Sequence, residues 1–170
     1  DFKIMWDNAY CVHHLTDTHD VILNMLEECR KAGHEDRALM FCSLSKVTFP
    51  GAGVAAMAAS RRNIDYILKN MFPMIISFDK LNQVRHIRFL KDMDGLAAHM
   101  EKHRALLEPK FRAVLAILDE GLSGCGSIAR WTKPNGGYFL SLYTLGGCAK
   151  RTVQLCREAG VVLTDAGAAY

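Results

Sequence analysis

Short apolar runs and a helical repeat of apolar positions alternate along the first part of the chain. The runs at 2–6 and 38–43 predict two buried strands, and 20–31 between them places its apolar residues on one face of a helix. Asp20 is the predicted N-cap of that helix, and Gly33 is predicted to end it. A strand, a helix and a strand of these lengths predict a βαβ unit, so we expect an α/β fold with a parallel sheet covered by helices.

The middle of the chain is predicted to be mainly helical. Small apolar residues at 53–59 predict a third buried strand, and three helices are predicted after it, at 61–71, 78–90 and 96–122. Ser60 is the predicted N-cap of the first of these helices, and Gly95 is expected to break the pattern between the other two. In the helix at 78–90, the apolar positions are Leu81, Val84, Ile87 and Phe89 or Leu90.

The composition changes after a glycine-rich loop at 121–126. The predicted elements beyond it are strands at 128–132 and 137–143, a helix at 146–159 and a strand at 161–163. The two strands flank the turn at 133–136, which predicts a hairpin. These elements make a small α+β module, and we place the domain boundary near Gly95, which predicts domains at 1–94 and 95–170.

Polar side chains follow both of the strands that are predicted to be parallel. Asp7 and Tyr10 come after the first strand, and Ser43, Ser45 and Lys46 come after the second. Ligands of parallel sheets bind at the carboxyl ends of the strands. We therefore expect these five side chains to lie close together at one edge of the sheet.

These residue types suit one cofactor, pyridoxal 5'-phosphate. A lysine shielded from water can act as a nucleophile and form an imine with the aldehyde, and a carboxylate can hold the pyridine nitrogen protonated. A tyrosine hydroxyl can bind the phenolic oxygen, and serine hydroxyls with backbone N–H groups can bind the phosphate. Two other interpretations stay open here: a surface lysine in a tight turn, and ordinary polarity at the edge of a cofactor-free α/β domain.

Charge and hydropathy exclude several classes of protein. The net charge is only +3 and the basic residues are scattered among acids, which does not favour a nucleic-acid or membrane-surface partner. No apolar run approaches the roughly 18 residues of a membrane span. The cysteines form no CxxC pair and lie mostly in apolar patterns, so we interpret them as reduced core residues of a cytoplasmic protein. No metal site is predicted: His99 and His103 are interpreted as a solvated helix face, and His13 and His14 as loop or packing residues.

Four stretches of the sequence resemble one enzyme family: DNAYCVHHL, SLSKVTFPGAGVA, DKLNQVRHIRFLKD and WTKPNGGYFLSL. Together they resemble the fold type I aminotransferases, and more narrowly the aspartate aminotransferases of subgroup Ic. The resemblance covers essentially the whole chain. It implies the C-terminal half of a large cofactor-binding domain at 1–94, and a connecting helix with an incomplete small α+β domain at 95–170.

The resemblance also implies a role for each polar residue at the predicted edge. Lys46 would be the Schiff-base lysine, and would move the substrate proton once the substrate amine has displaced it. Asp7 would pair with the pyridinium nitrogen, Tyr10 with the phenolic oxygen, and Ser43 and Ser45 with the phosphate. A homodimer is implied, with an amino acid (aspartate or another dicarboxylic one) and a 2-oxo acid such as 2-oxoglutarate as substrates.

The sequence departs from the family pattern in one respect. Common aminotransferases carry a phosphate-binding arginine shortly after the lysine, whereas residues 50–54 read PGAGV. The family's substrate-carboxylate arginine is expected after Tyr170 and its ring-stacking residue before Asp1, so we expect the chain to be part of a longer protein. A pyridoxal-phosphate-dependent lyase or decarboxylase, and a cofactor-binding transcriptional regulator, remain alternative functions.

Overall fold

The computed structural model describes residues 2–165, which divide into two compact units. Among these residues, the first unit comprises 2–106 and 135–137, and the second comprises 107–134 and 138–165. The division falls inside one long helix, and the predicted domain ranges 1–94 and 95–170 stay a prediction. Within the described part of the chain, no helix is both long and apolar enough to cross a membrane.

A three-stranded sheet forms the centre of the first unit. The strands are β1 (Ile4–Asp7), β2 (Ala38–Ser43) and β3 (Ala55–Ala59), with β2 in the middle. β1 runs parallel to β2, with Asp7 opposite Phe41, and the helix α1 (Met25–Lys31) lies between them in sequence and contacts β2. The predicted βαβ unit is therefore confirmed.

The start of α1 differs from the prediction. The N-cap is Asn24, whose side chain accepts a hydrogen bond from the Glu27 backbone N–H, so the prediction of Asp20 as the cap was wrong. Asparagine and aspartate are comparable caps, and composition alone does not choose between two candidates four residues apart. Gly33 follows the helix with a positive φ of 72°, as expected of a helix stop.

The strand β3 runs antiparallel to β2, with Ser43 opposite Ala55. The turn that carries Lys46 is therefore the connection of an antiparallel pair. The prediction that this strand is buried was wrong for the described chain, because β3 lies at the edge of the sheet and most of its residues are exposed.

Three helices follow the sheet: α2 (Arg61–Met71), α3 (Lys80–Leu90) and α4 (Met93–Leu122). Ser60 caps α2 as predicted, through a hydrogen bond from the Asn63 backbone N–H. Gly95 does not break the helix, since it lies inside the first turn of α4. A Cβ at this position would collide with the Leu90 carbonyl oxygen, so glycine permits the tight passage from α3 to α4.

The apolar positions of α3 do not form its buried side. Leu81 and Ile87 are 74% and 65% exposed, whereas Asn82 and His86 are each only 8% exposed. The polar side chains are buried because they contact the loop between β2 and β3.

The second unit contains the C-terminal part of α4, the strands β4 (Ala129–Trp131) and β5 (Leu142–Thr144), and the helix α5 (Ala149–Glu158). β4 and β5 pair antiparallel, with Ala129 opposite Thr144, which confirms a hairpin. The connection between β4 and β5 is longer than the predicted turn at 133–136. The strand predicted at 161–163 is not present, because these residues are not in a strand.

Residues 135–137 belong to the first unit instead of a strand. Gly136 forms an antiparallel bridge with His14, and the Gly137 N–H donates to the His13 carbonyl oxygen over 2.7 Å. A Cβ at Gly136 would lie 2.7 Å from that same oxygen, so the approach of the two segments requires glycine.

The cysteines are free thiols. The prediction that they are mainly core residues was wrong. Cys29 is buried, whereas Cys42 and Cys148 are exposed. Cysteine in an apolar run is therefore not by itself a sign of burial in this chain.

Candidate functional site

The carboxyl ends of β1 and β2 lie side by side. The Asn8 N–H donates to the Phe41 carbonyl oxygen over 2.8 Å, which extends the pairing one residue beyond β1. Asp7 and Ser43 line one cavity of about 660 Å³, whose other walls are largely apolar residues of β2, β3, α2 and the segment after α2. The fold thus brings together a carboxylate and a hydroxyl that are distant in sequence.

Asp7 is the last residue of β1, and Tyr10 lies in the turn that follows it. The Asp7 Oδ1 atom accepts a hydrogen bond from the Ala9 N–H at 3.1 Å, and this contact orients the carboxylate. Tyr10 is half-buried, and its ring meets the His13 ring edge-on with 5.5 Å between centroids.

Ser43 and Ser45 form a hydroxyl pair at the end of β2. The Ser43 Oγ atom accepts from the Ser45 N–H at 3.0 Å and donates to the Ser45 Oγ atom at 2.8 Å. Because the Ser45 oxygen acts as the acceptor in this pair, its own hydrogen can be donated to an anion. The pair is therefore suited to bind a phosphate.

Lys46 lies in a tight turn directly after these serines. The Leu44 carbonyl oxygen accepts from the N–H groups of Val47 (3.0 Å) and Thr48 (2.8 Å). Val47 is 2% exposed and anchors the turn, whereas the Lys46 side chain is exposed. The expectation that this lysine is shielded from water is therefore not met within the described residues.

The far side of the same loop packs against Ser45. The Leu44 N–H donates to the Val54 carbonyl oxygen over 2.8 Å, which closes the loop. A Cβ on Gly53 would lie 2.8 Å from the Ser45 nitrogen and 2.9 Å from its Oγ atom. Only glycine fits there without moving the serine that belongs to the hydroxyl pair.

Three histidines of α3 and α4 lie at or beside the lysine turn, although no role there was predicted for them from the sequence. His99 and His103 are half-buried beside the turn, so their interpretation as a solvated helix face was wrong. His86 was not singled out. The signal available was a pair of polar residues four positions apart on a helix, Asn82 with His86 and His99 with His103, which share a face.

The described residues offer no cluster of three or more histidine, cysteine, aspartate or glutamate side chains that could hold a metal ion. The five predicted site residues supply one carboxylate, one phenol, two hydroxyls and one amine, from Asp7, Tyr10, Ser43, Ser45 and Lys46.

Comparison with known proteins places these features in one family. The family model described as "Aspartate amino-transferase" matches residues 1–170. A protein of Mycolicibacterium smegmatis, provisionally named an aminotransferase, is 48% identical over the whole chain, which covers 40% of that protein. An aspartate aminotransferase of Corynebacterium glutamicum is 42% identical, again over the whole chain and 39% of the relative.

A solved structure agrees with these relatives. The crystal structure of an aspartate transaminase from Corynebacterium glutamicum superimposes with a TM-score of 0.91 at 42% identity, over all of this chain and 40% of that one. The chain thus spans about 40% of the length of the relatives that it matches.

Proposed function

Because the chain belongs to the aspartate aminotransferase family, we propose that the protein containing it moves an amino group from an amino acid to a 2-oxo acid. The fold is that of the fold type I enzymes, and pyridoxal 5'-phosphate is the cofactor of the family. The observation that carries the proposal is the meeting of Asp7 and Ser43 on one cavity, beside the turn that bears Lys46.

The residues at this edge fit pyridoxal phosphate by their donor chemistry. An amine, a carboxylate and a hydroxyl pair are the groups that an aldehyde, a protonated ring nitrogen and a phosphate require. When bound, this cofactor supplies an electron sink that stabilises negative charge on the substrate α-carbon. In this proposal Asp7 pairs with the ring nitrogen, and Tyr10 hydrogen-bonds the phenolic oxygen.

Ser43 and Ser45 hold the phosphate in this proposal. No arginine lies between Lys46 and Val54, so the anion is neutralised less by charge and more by hydroxyl and backbone N–H donors. Lys46 would hold the cofactor through Nζ, and its amine, when free, would take up and return a proton at the substrate α-carbon.

We further propose a dicarboxylic amino acid, such as aspartate, as the amino donor and 2-oxoglutarate as the acceptor. The family description and the Corynebacterium glutamicum relative, which is named an aspartate aminotransferase, support this choice. The proposal includes a homodimer acting in the cytoplasm, for which family membership and the free cysteines are the support.

The test is borohydride reduction of the full-length protein with pyridoxal phosphate, followed by peptide mapping. We expect the reduced adduct on Lys46, and we expect Lys46→Ala to abolish both the adduct and amino transfer. A label on another lysine would refute the site. Breakdown of the amino acid without a 2-oxo acid acceptor would indicate a lyase, and binding of cofactor without turnover would indicate a regulator.

A further inference from the structure

Histidines from three separate elements contact three consecutive residues of the lysine turn. His13, in the turn after β1, places Nε2 3.1 Å from the Lys46 carbonyl oxygen. His99 of α4 places Nε2 2.8 Å from the Val47 carbonyl oxygen. The third contact is between His86 and the Thr48 hydroxyl.

His86 of α3 binds the third residue of the turn. Its Nδ1 lies 2.8 Å from the Asn82 carbonyl oxygen, and its Nε2 lies 2.8 Å from the Thr48 Oγ1 atom. A carbonyl oxygen only accepts, so Nδ1 donates to Asn82. The Thr48 hydroxyl lies between His86 Nε2 and the Leu44 carbonyl oxygen, to which it donates at 3.1 Å. The same rule assigns the Nε2–H tautomer to the His13 and His99 contacts.

Two of these histidines are buried, since His13 is 3% exposed and His86 is 8% exposed. The Nε2 atoms of His99 and His103 lie 3.2 Å apart, so His103 packs against the histidine that contacts Val47. Burial, with His99 and His13 nearby, lowers the pKa of His103, while a hydrogen bond to the Val47 backbone opposes this effect.

The polar side of α3 also holds the other end of the same loop. Asn82 Nδ2 donates to the Ala52 carbonyl oxygen at 2.6 Å and lies 3.3 Å from that of Gly53. One helix face therefore attaches the loop both just after Lys46 and just before β3. This dual attachment explains why Asn82 and His86 are buried.

We propose that His13, His86 and His99 are positioning residues for Lys46. The inference rests on the proposed function, because it concerns the placement of the amine that this function assigns to Lys46. The Lys46 side chain begins at the turn, so a change in the backbone of the turn displaces the starting point of the chain that carries its amine. The imidazoles satisfy the carbonyl oxygens of Lys46 and Val47 and so hold the turn in one conformation.

The test compares paired substitutions in the full-length protein. His13→Gln and His99→Gln keep an N–H donor near the position of Nε2, whereas His13→Leu and His99→Leu remove it. His34→Leu, in the exposed loop after α1, is the matched control. The first readout is hydrogen exchange of the amides at 44–48 without cofactor, and the second is kcat and KM with an amino donor.

We expect both leucine variants to exchange these amides about tenfold faster than the wild type, because the turn opens more often. We expect kcat to fall by about 10- to 100-fold with KM changed less than about threefold, since a displaced amine reacts more slowly. The glutamine variants should lie close to the wild type in both readouts, and His34→Leu should be unchanged.

Two results would overturn the inference. One is that the leucine variants exchange the amides at 44–48 as slowly as the wild type. The other is that the glutamine variants show the same fast exchange and low kcat as their leucine counterparts. If a leucine variant does not fold, the glutamine variant at that position is used instead. A glutamine variant that turns over slowly and exchanges its amides fast counts against the inference. Failure of Lys46 to bind pyridoxal phosphate in the wild type would refute the proposed function, while the exchange comparison would still decide whether the histidines hold the turn.

Discussion

Replacing Gly53 with alanine tests whether the loop geometry around Ser45 matters for stability and for cofactor binding. The new Cβ would lie 2.8 Å from the Ser45 nitrogen and 3.0 Å from its Cα. These are backbone atoms, which cannot rotate away as a side chain can. We therefore expect the loop to shift, with a loss of about 1–3 kcal/mol in the free energy of unfolding, as for other overpacked positions.

The same shift should disturb the hydroxyl pair. Ser45 is held to Ser43 through both its N–H and its Oγ atom, so a displaced Ser45 loses one or both contacts. If the pair binds the phosphate, losing one such contact weakens cofactor binding about tenfold, which corresponds to about 1.4 kcal/mol.

Gly51→Ala is the matched control in the same loop. Gly51 has a positive φ of 80°, and no atom lies within 4 Å of the position that a Cβ would take, so alanine there is strained but does not touch Ser45. It should cost about 1–2 kcal/mol of stability through backbone strain and leave cofactor affinity nearly unchanged.

The assay is urea unfolding of the full-length protein, together with titration of the cofactor-free protein with pyridoxal phosphate. Gly53→Ala with wild-type stability would refute the steric reasoning. Equal cofactor affinity for Gly53→Ala and Gly51→Ala would refute the role of the serine pair.

Four further predictions follow from the same contacts. Asp7→Asn should lower kcat about 10- to 100-fold, because a neutral amide cannot make the charge-assisted contact with a protonated ring nitrogen; kcat measured beside that of the wild type checks this. Asn24→Ala should cost about 1 kcal/mol in urea unfolding because it removes the cap of α1, whereas Asp20→Ala should change stability by less than about 0.5 kcal/mol. Burial is the main cause that lowers the pKa of both His14 and His103, so each binds a proton more weakly in the folded than in the unfolded chain. Their contribution to the free energy of unfolding is complete above the pKa of about 6.5 in the unfolded chain, and it is lost as the pH falls below that value. Urea unfolding at pH 7.5 and at pH 5.5 should show this loss, and the loss should be smaller in His103→Gln. The 170 residues expressed alone should show no amino transfer in an assay with aspartate and 2-oxoglutarate, and measurable turnover would mean that the site is complete within them.

The sheet edge could be predicted because it depends on local rules. Apolar runs marked β1 and β2, and the helix between them required a parallel crossover. Parallel strands end at the same edge, so Asp7 and Ser43 had to lie near each other. The motifs around Lys46 then identified the family, which the family model confirms over the whole chain.

The inward side of α3 could not be predicted in the same way. Helical periodicity shows which residues share a face, but it does not show what will cover that face. In α3 the apolar positions Leu81 and Ile87 are exposed, and the polar positions Asn82 and His86 are buried. The reason is that loop carbonyl and hydroxyl groups need hydrogen-bond partners when they leave water, and α3 supplies them.

Apart from the strand predicted at 161–163, the order of the elements could be inferred from the sequence, as could the family and the polar residues at the strand ends. Each of these depends on neighbours within a few positions or on a recognisable motif. The side chains that contact the lysine turn could be identified only from the packing of the chain. His13, His86 and His99 come from three elements far apart in sequence, and their contacts depend on how those elements pack. Such contacts satisfy single carbonyl or hydroxyl groups and leave no periodic pattern in the sequence.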